Sequence, residues 1–469
     1  MISFIIALAV LLIGFLTYGK LVENIFEPDD RQTPAIAIND GVDCIPIKTW
    51  KALLIQLLNI AGTGPIFGAL MGACFGPVVF LWIVLGAILA GAVHDYMVGM
   101  ISERHKGASI AELSGIYLGK PTIYIMRAFA VLLLLLTGTV FVTSPAALIS
   151  SLTPEFLGNH FWIIVILVYY VIATLLPIDK VIGKLYPAFG VILIIMAVSI
   201  AGGMLFIPKY HIPEISFANF HPKNLPIWPF MFVTVACGAI SGFHATQSPM
   251  MSKCITSEKE GRKVFYGAMI LESVIALIWA AAGVAFYGET QMLQDTLSKL
   301  GQSGVVYDIS TKMLGGFGGL LAIIGVVICP ITSGDTAFRS ARLILAEWTN
   351  LEQKNIKNRL ILTIPLLLIS AVLTQLDFNV LWRYFSWSNQ TLAMVALWMA
   401  TMYLLKNGKN WIGSLITALP ASFMTAVSVT YILLAKEGFQ LPANIGYPVG
   451  IAAALIAFGL YLIKALKKK

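Results

Sequence analysis

Long apolar runs separated by short polar connections repeat along the whole chain, and their length decides the class of fold. The stretches 2–22, 50–75, 77–101, 122–150, 161–177, 186–207, 227–246, 264–288, 315–342, 359–376, 380–404, 411–434 and 445–465 are each dominated by apolar side chains. About twenty such residues, at 1.5 Å rise each, cross a hydrocarbon core roughly 30 Å thick. Membrane-spanning strands would instead show segments of roughly ten residues with alternating polarity, and the sequence contains none. The pattern predicts an all-α integral membrane protein, a single domain over 1–469 with about 13 transmembrane helices.

Two runs carry residues that an unbroken helix does not choose. The second contains Ala61-Gly62-Thr63-Gly64-Pro65, where glycine weakens the helix and proline removes a donor and clashes with the preceding turn. The seventh contains Ser241-Gly242-Phe243-His244-Ala245-Thr246-Gln247-Ser248-Pro249, polar backbone and side chains that membrane depth tolerates only inside protein or against a cavity. The two breaks lie five helices apart and are entered from opposite sides, so five-helix units begun at each have opposite topology. Helices two to six (50–207) and seven to eleven (227–404) then form a LeuT-like 5+5 inverted repeat. Residues 1–49 supply a peripheral helix and a cytoplasmic loop, and 411–469 two further peripheral helices.

Composition narrows the function. With 58% hydrophobic and 12% charged residues and a mean hydropathy of +0.85, most of the surface must face lipid. The net charge of +8 does not form one basic stripe, which argues against nucleic acid as a partner. Cations such as Lys20, Arg31, Arg104, Lys106, Lys180, Lys253, Arg262, Lys354 and Lys406 crowd the connections after odd-numbered helices, so the positive-inside rule puts the amino terminus outside and the carboxyl terminus in the cytoplasm. Five cysteines without CxxC spacing indicate neither a disulfide framework nor a zinc site. Residues 2–18 lack a basic n-region and a following A-x-A site and are read as a retained helix. HExxH, P-loop, GxSxG and dinucleotide-turn motifs are absent, so an enzyme lacks its usual parts and no cofactor is expected.

Function should sit where half-helix ends offer unpaired N–H groups to an anion and carbonyls to a cation. The substrate-binding candidates are Ala61, Gly62, Thr63 and Gly64 in the first break, and Ser241, Gly242, Phe243, His244 and Gln247 in the second. The bland alternatives are a packing kink, because Gly64, Gly68, Gly72 and Gly76 make a small-residue ridge, and for His244 a satisfied interhelical hydrogen bond. The ninth span ends in Cys329-Pro330-Ile331-Thr332-Ser333-Gly334-Asp335, where Asp335 is a proton carrier or Ala61, Thr332 and Ser333 form a sodium site; the coupling ion is H+ or Na+, and no other metal is expected. Asp335 would otherwise form a structural pair with Arg339, one turn on. Asp95, beside His94, and Glu272 are costly at their depth. Their position toward the cytoplasmic side leaves open snorkelling or pairing with a loop cation such as Arg104.

These residues resemble the carbon starvation protein A family. The likeness is carried by Asn39-Asp40-Gly41-Val42-Asp43 with Pro46, the break at 61–65, Gly91-Ala92-Val93-His94-Asp95, the segment from 241 to Glu272, Thr332 to Arg342, and Phe385-Ser386-Trp387-Ser388-Asn389-Gln390, which adds Asn389 as a secondary candidate. The resemblance implies a secondary transporter of the inner membrane that takes up peptides or pyruvate when preferred carbon is scarce, with proton coupling in the pyruvate carriers. Many members carry a histidine pair just before the first break, where this chain has Gln56, Leu57, Leu58 and Asn59, and the stretch Gln247-Ser248-Pro249-Met250-Met251 also departs from the family pattern.

The expected mechanism is alternating access, with a small carboxylate-bearing solute held by helix N-termini near the midplane and a cation favouring the loaded state. A channel without coupled transport and a membrane sensor are the rival classes. The connections are too short for a separate signalling domain. The stretch Asp40-Gly41-Val42-Asp43 reads either as a cytoplasmic gate or as an ordinary turn.

Overall fold

A computed structural model describes residues 1–40, 44–175, 178–408 and 411–467, of which 178–185 by backbone alone. Every element among the described residues is helical. Among the described residues, nine helices are long and apolar enough to cross a membrane, or ten when Thr49–Ile60 and Gly64–Ala73, bent by 53° at their junction, are taken as one span. A helix overlies each of the other apolar runs as well. Asn159–Leu175 is shorter than the rest, and Phe378–Asn407 is diluted by Arg383, Ser386, Ser388, Asn389 and Gln390.

Burial sorts the spans into an inner and an outer set. Within Val79–Arg104 and Glu258–Tyr287, 83% of the most apolar window is buried inside the protein, against 28% for Ile2–Phe26 and 22% for both Ile356–Leu373 and Ala443–Leu466. The outer helices show lipid-facing side chains such as Leu368, Val372, Leu455 and Ile456. In bilayer these need no protein partner, because lipid tails are as apolar as they are. The inner pair consists of the helices that carry Asp95 and Glu272.

The run from 289 to 314 was expected as a connection, yet it is helical. Thr290–Ile323 contains turns broken at Gly301 (φ 66°) and Gly315 (φ 63°), a backbone region that glycine enters without steric cost. The second interruption also lies earlier than the polar cluster suggests: the helix stops at Thr234 and resumes at Gly242, so the chain is unwound over 235–241 and 242–252 is helix. Neighbours satisfy the freed backbone there. Trp82 Nε1 donates to the Val235 carbonyl at 3.3 Å, and Gln390 Nε2 to the carbonyls of Phe232 and Ile240 at 3.2 and 3.4 Å. Lateral bonds of this kind make irregular backbone affordable inside a bilayer.

On the side where the second broken helix ends, residues 27–40 and 44–49 lie across the chain near 254–260. Ile47 N–H donates to the Cys254 carbonyl at 3.0 Å, Thr49 Oγ1 to Glu260 at 2.6 Å, and Arg104 makes two bonds to Glu258 at 2.8 and 2.9 Å. Asp40 accepts from Cys44 N–H at 2.9 Å; residues 41–43 of the expected gate lie outside the described residues.

Candidate functional site

At the first break Ala61 leaves the helical region (φ −86°, ψ 56°), and the Gly62 amide turns back to the Ile60 carbonyl at 3.1 Å. The Leu58 carbonyl, four residues before Gly62, thereby loses its intrahelical donor, and Ser333 Oγ takes its place at 3.0 Å. Pro65 sits in the first turn of the resumed helix, where its missing N–H costs nothing. At the second break Asn389 caps the resumed helix from another span: its Oδ1 accepts from Phe243 N–H at 2.6 Å and Ser241 Oγ at 3.1 Å, and its Nδ2 faces Cys237 Sγ at 3.2 Å.

The two broken helices touch. A Cβ on Gly64 would stand 2.4 Å from Cys237 Sγ, one on Gly68 3.1 Å from the Thr234 carbonyl, and one on Gly72 2.2 Å from Val235. The small-residue ridge is therefore a true packing surface from 64 to 72, whereas Gly76 lies beyond the helix, which ends at Ala73, and packs on Phe220. Gln56 Nε2 reaches Ser248 Oγ at 3.3 Å across the pair, and Phe141 stands edge-on to Phe243 with centroids 6.1 Å apart.

Ala61, Gly62, Thr63, Gly64, Ser241, Gly242, Phe243, His244 and Gln247 are all buried, so both breaks are closed from either side. On or beside these elements, several buried polar atoms have no hydrogen-bond partner: Gln56 Oε1, Asn59 Oδ1, Thr63 Oγ1, His244 Nε2, Gln247 Oε1 and the nearby Tyr170 hydroxyl. A buried polar atom left unpaired costs about 1–3 kcal/mol, so this grouping is the feature that calls for a polar ligand. A crevice of about 620 Å³ lined by Leu81, Trp82, Phe232, Leu419 and Phe423 is by contrast almost wholly apolar.

The coupling candidates fall into two places. Thr332 Oγ1 bonds back to the Cys329 carbonyl at 2.7 Å, and Asp335 Oδ2 meets Arg339 Nη2 at 3.3 Å, with Arg339 also donating to the Ala173 carbonyl at 3.1 Å. Asp95 and Glu272 converge on His244: Nδ1 lies 2.8 Å from Asp95 Oδ2 and Nε2 3.2 Å from Glu272 Oε2, while His94 Nδ1 lies 2.8 Å from Asp95 Oδ1. All four side chains are fully buried. The pairing of Asp95 with Arg104 does not occur, because Arg104 is taken by Glu258 and by the Tyr403 hydroxyl at 2.8 Å. Sequence position put Asp95, His244 and Glu272 in three separate spans, and only the packing of those spans brings them together.

The family model described as "Carbon starvation protein CstA" matches residues 1–156, 151–290 and 295–431. The chain belongs to the CstA family. It is similar to a membrane protein of Haemophilus influenzae, 44% identical over 64% of this chain and 94% of the relative. It also resembles the peptide transporter CstA of Campylobacter jejuni, 29% identical over 58% of this chain and 48% of the relative. To the pyruvate/proton symporter BtsT of Escherichia coli it is 26% identical over 53% of this chain and 43% of that protein. These two matches span about half the length of the transporters named. Among solved structures, a manganese transporter of Eremococcus coleocola matches with TM-score 0.54 and 13% identity over 92% of this chain and 99% of that one, a likeness of fold alone. As a CstA-family chain with at least nine apolar helices, this is a multi-pass membrane protein.

Proposed function

We propose that this CstA-family protein is a secondary active transporter of the inner membrane that takes up a small carboxylate-bearing solute, a peptide or pyruvate, by proton symport with alternating access when preferred carbon is scarce. The observation that carries the reading is the meeting of two broken helices at a closed centre furnished with unpartnered polar atoms. Related transporters named for peptides and for pyruvate with protons support the substrate class and the ion. We take the chain as thirteen helices in a LeuT-like arrangement, with 50–207 and 227–404 as inverted repeats because the two breaks lie five spans apart, and with the amino terminus outside and the carboxyl terminus in the cytoplasm by the distribution of loop cations; the fold likeness to another transporter supports a membrane-transporter fold.

In this arrangement the first-turn amides of Gly64–Ala73 face the solute carboxylate, since helix geometry leaves them unpaired. The corresponding amide of Phe243 is already held by Asn389. Gln56, Asn59, Thr63 and Gln247 supply the remaining polar contacts. Gln56 and Asn59 occupy the stretch where this chain departs from its resemblance to the family, so they set its substrate preference.

Uptake into proteoliposomes of radiolabelled pyruvate and, separately, of dialanine, under a proton gradient, a sodium gradient or neither, tests the reading. Proton-driven accumulation of one solute is expected. Passive equilibration of both, without counterflow, would replace the carrier with a channel.

A further inference from the structure

The contact between His244 and Glu272 can be counted proton by proton. Asp95, as a carboxylate, only accepts hydrogen bonds, so the 2.8 Å contact with His244 Nδ1 fixes a proton on that nitrogen. His244 Nε2 is then either a bare lone pair or a protonated donor. It faces Glu272 Oε2 at 3.2 Å as an ion-pair contact outside hydrogen-bond geometry, so neither this nitrogen nor either Glu272 oxygen has a hydrogen-bond partner. A lone pair and a carboxylate oxygen held this close with no water between them repel each other, so the contact holds together only with one further proton, on the imidazole or on the carboxyl.

We infer that Asp95, His244 and Glu272 form the site that takes up and releases the coupled proton. This rests on the proposed proton symport and locates its carrier. With the shared proton, Glu272 and His244 attract or are neutral toward each other, and the helix Gly242–Ser252 stays packed on Val79–Arg104 with His244 against Glu272. When the proton leaves, a carboxylate and a bare imine nitrogen face each other in a site closed to water, and the repulsion drives that helix off Glu272. His244 is the third residue of this helix, whose amino end lies at the second break, so proton release and motion at the substrate site are mechanically one event. The proton passes from His244 Nε2 or Glu272 Oε2 to water on the opened side; no other bond changes.

The surroundings isolate this exchange. The groups that act electrostatically on Glu272 are His244 and Asp95. The Cys237 thiol on the unwound stretch feels both carboxylates, and His94 completes the set from beside Asp95. No lysine or arginine is paired with any of them among the described residues, so no fixed cation cancels the charge that appears on deprotonation. Asp335 differs in this respect, for Arg339 is already beside it.

Two measurements on the full-length protein test the assignment. Purified carrier in weakly buffered detergent, titrated with a pH dye across the neutral range, should release about one proton per chain more than the double variant Glu272→Gln/His244→Gln, which lacks both groups that can carry it; equal release would overturn the site without reference to any substrate. In proteoliposomes, Glu272→Gln and His244→Gln should lower proton-driven accumulation of the solute that wild type concentrates by at least about tenfold, while in Glu272→Gln exchange at equal pH, which needs no net proton movement, persists. Accumulation in both variants at the wild-type level would overturn the site. Failure of the wild type itself to accumulate either probe under a proton gradient would defeat the symport reading, while the dye titration would still decide the proton site.

Discussion

Two buried acid clusters lie within the same helical core, and they differ in charge balance. Asp335 has one cation, Arg339, one turn away on its own helix, and that cation is anchored in turn to the Ala173 carbonyl. Glu272 and Asp95 share one histidine between them, supplied by a helix that begins at a break. The first is neutral in one protonation state and gains nothing by changing it. The second is one proton short of neutrality whenever both carboxylates are ionised and His244 alone is charged. A balanced pair inside a membrane acts as a strut, whereas an unbalanced one has reason to exchange protons.

The sharpest way to break this contrast is to remove one partner of the balanced pair. Asp335→Asn leaves Arg339 buried without its counter-ion, so it should cost about 3–5 kcal/mol of stability, read as a large drop in the thermal unfolding temperature in detergent. Gradient dependence of any uptake that survives should remain. Asp335→Asn combined with Arg339→Gln should recover most of that loss, since no charge is stranded; a double variant as unstable as the single would show that the two residues do not act as a pair. Next in size is Asn389→Ala. It strips the Phe243 amide and Ser241 hydroxyl of their shared acceptor and should cost about 1–3 kcal/mol, together with a weaker substrate affinity measured by equilibrium binding. Glu272→Gln should move the unfolding temperature little or raise it, because it deletes the excess charge, and a fall as large as that of Asp335→Asn would erase the distinction.

The smallest expected effect concerns a histidine with no carboxylate beside it. His221 lies on the connection before the second broken helix, with the Phe75 ring 4.5 Å away, and its Nδ1 accepts from the Lys223 amide at 3.1 Å. Burial, with a smaller contribution from Lys223, pushes its pKa down to about 4 from an ordinary 6.5. The neutral form is the one that folds in. Its contribution is therefore complete above pH 6.5 and is lost as pH falls from 6.5 toward 4. His221→Gln should make the unfolding temperature slightly less sensitive to pH across that window; an unchanged slope would show that His221 titrates freely.

Much of the fold was legible along the chain. The apolar runs, the break at 61–65 and the ridge from Gly64 to Gly72 report local requirements: enough apolar length to cross a bilayer, a proline and glycines where a helix stops, and small residues where two helices touch. The second break was harder to place. Its backbone is satisfied by Trp82, Asn389 and Gln390 from other spans, so the unwound stretch could move away from the proline and polar cluster that advertised it. The helical turns after Thr290 were hidden for a related reason, because the polar residues there suit a surface helix as well as a loop.

The candidate chemistry divides the same way. Asp335 and Arg339 are four residues apart on one helix, so the sequence alone could name their pairing as the alternative to a proton site. Asp95, His244 and Glu272 stand 149 and 28 positions apart in the numbering, and no periodicity connects them. Their meeting depends on how three spans pack around a break. Hydropathy, length and helix-breaking residues are properties of neighbours in the chain, and the sequence by itself determined the membrane class, the two interruptions and the small-residue ridge. Which carboxylate lacks a cation is a property of neighbours in space, and only the tertiary structure decided that it is Glu272.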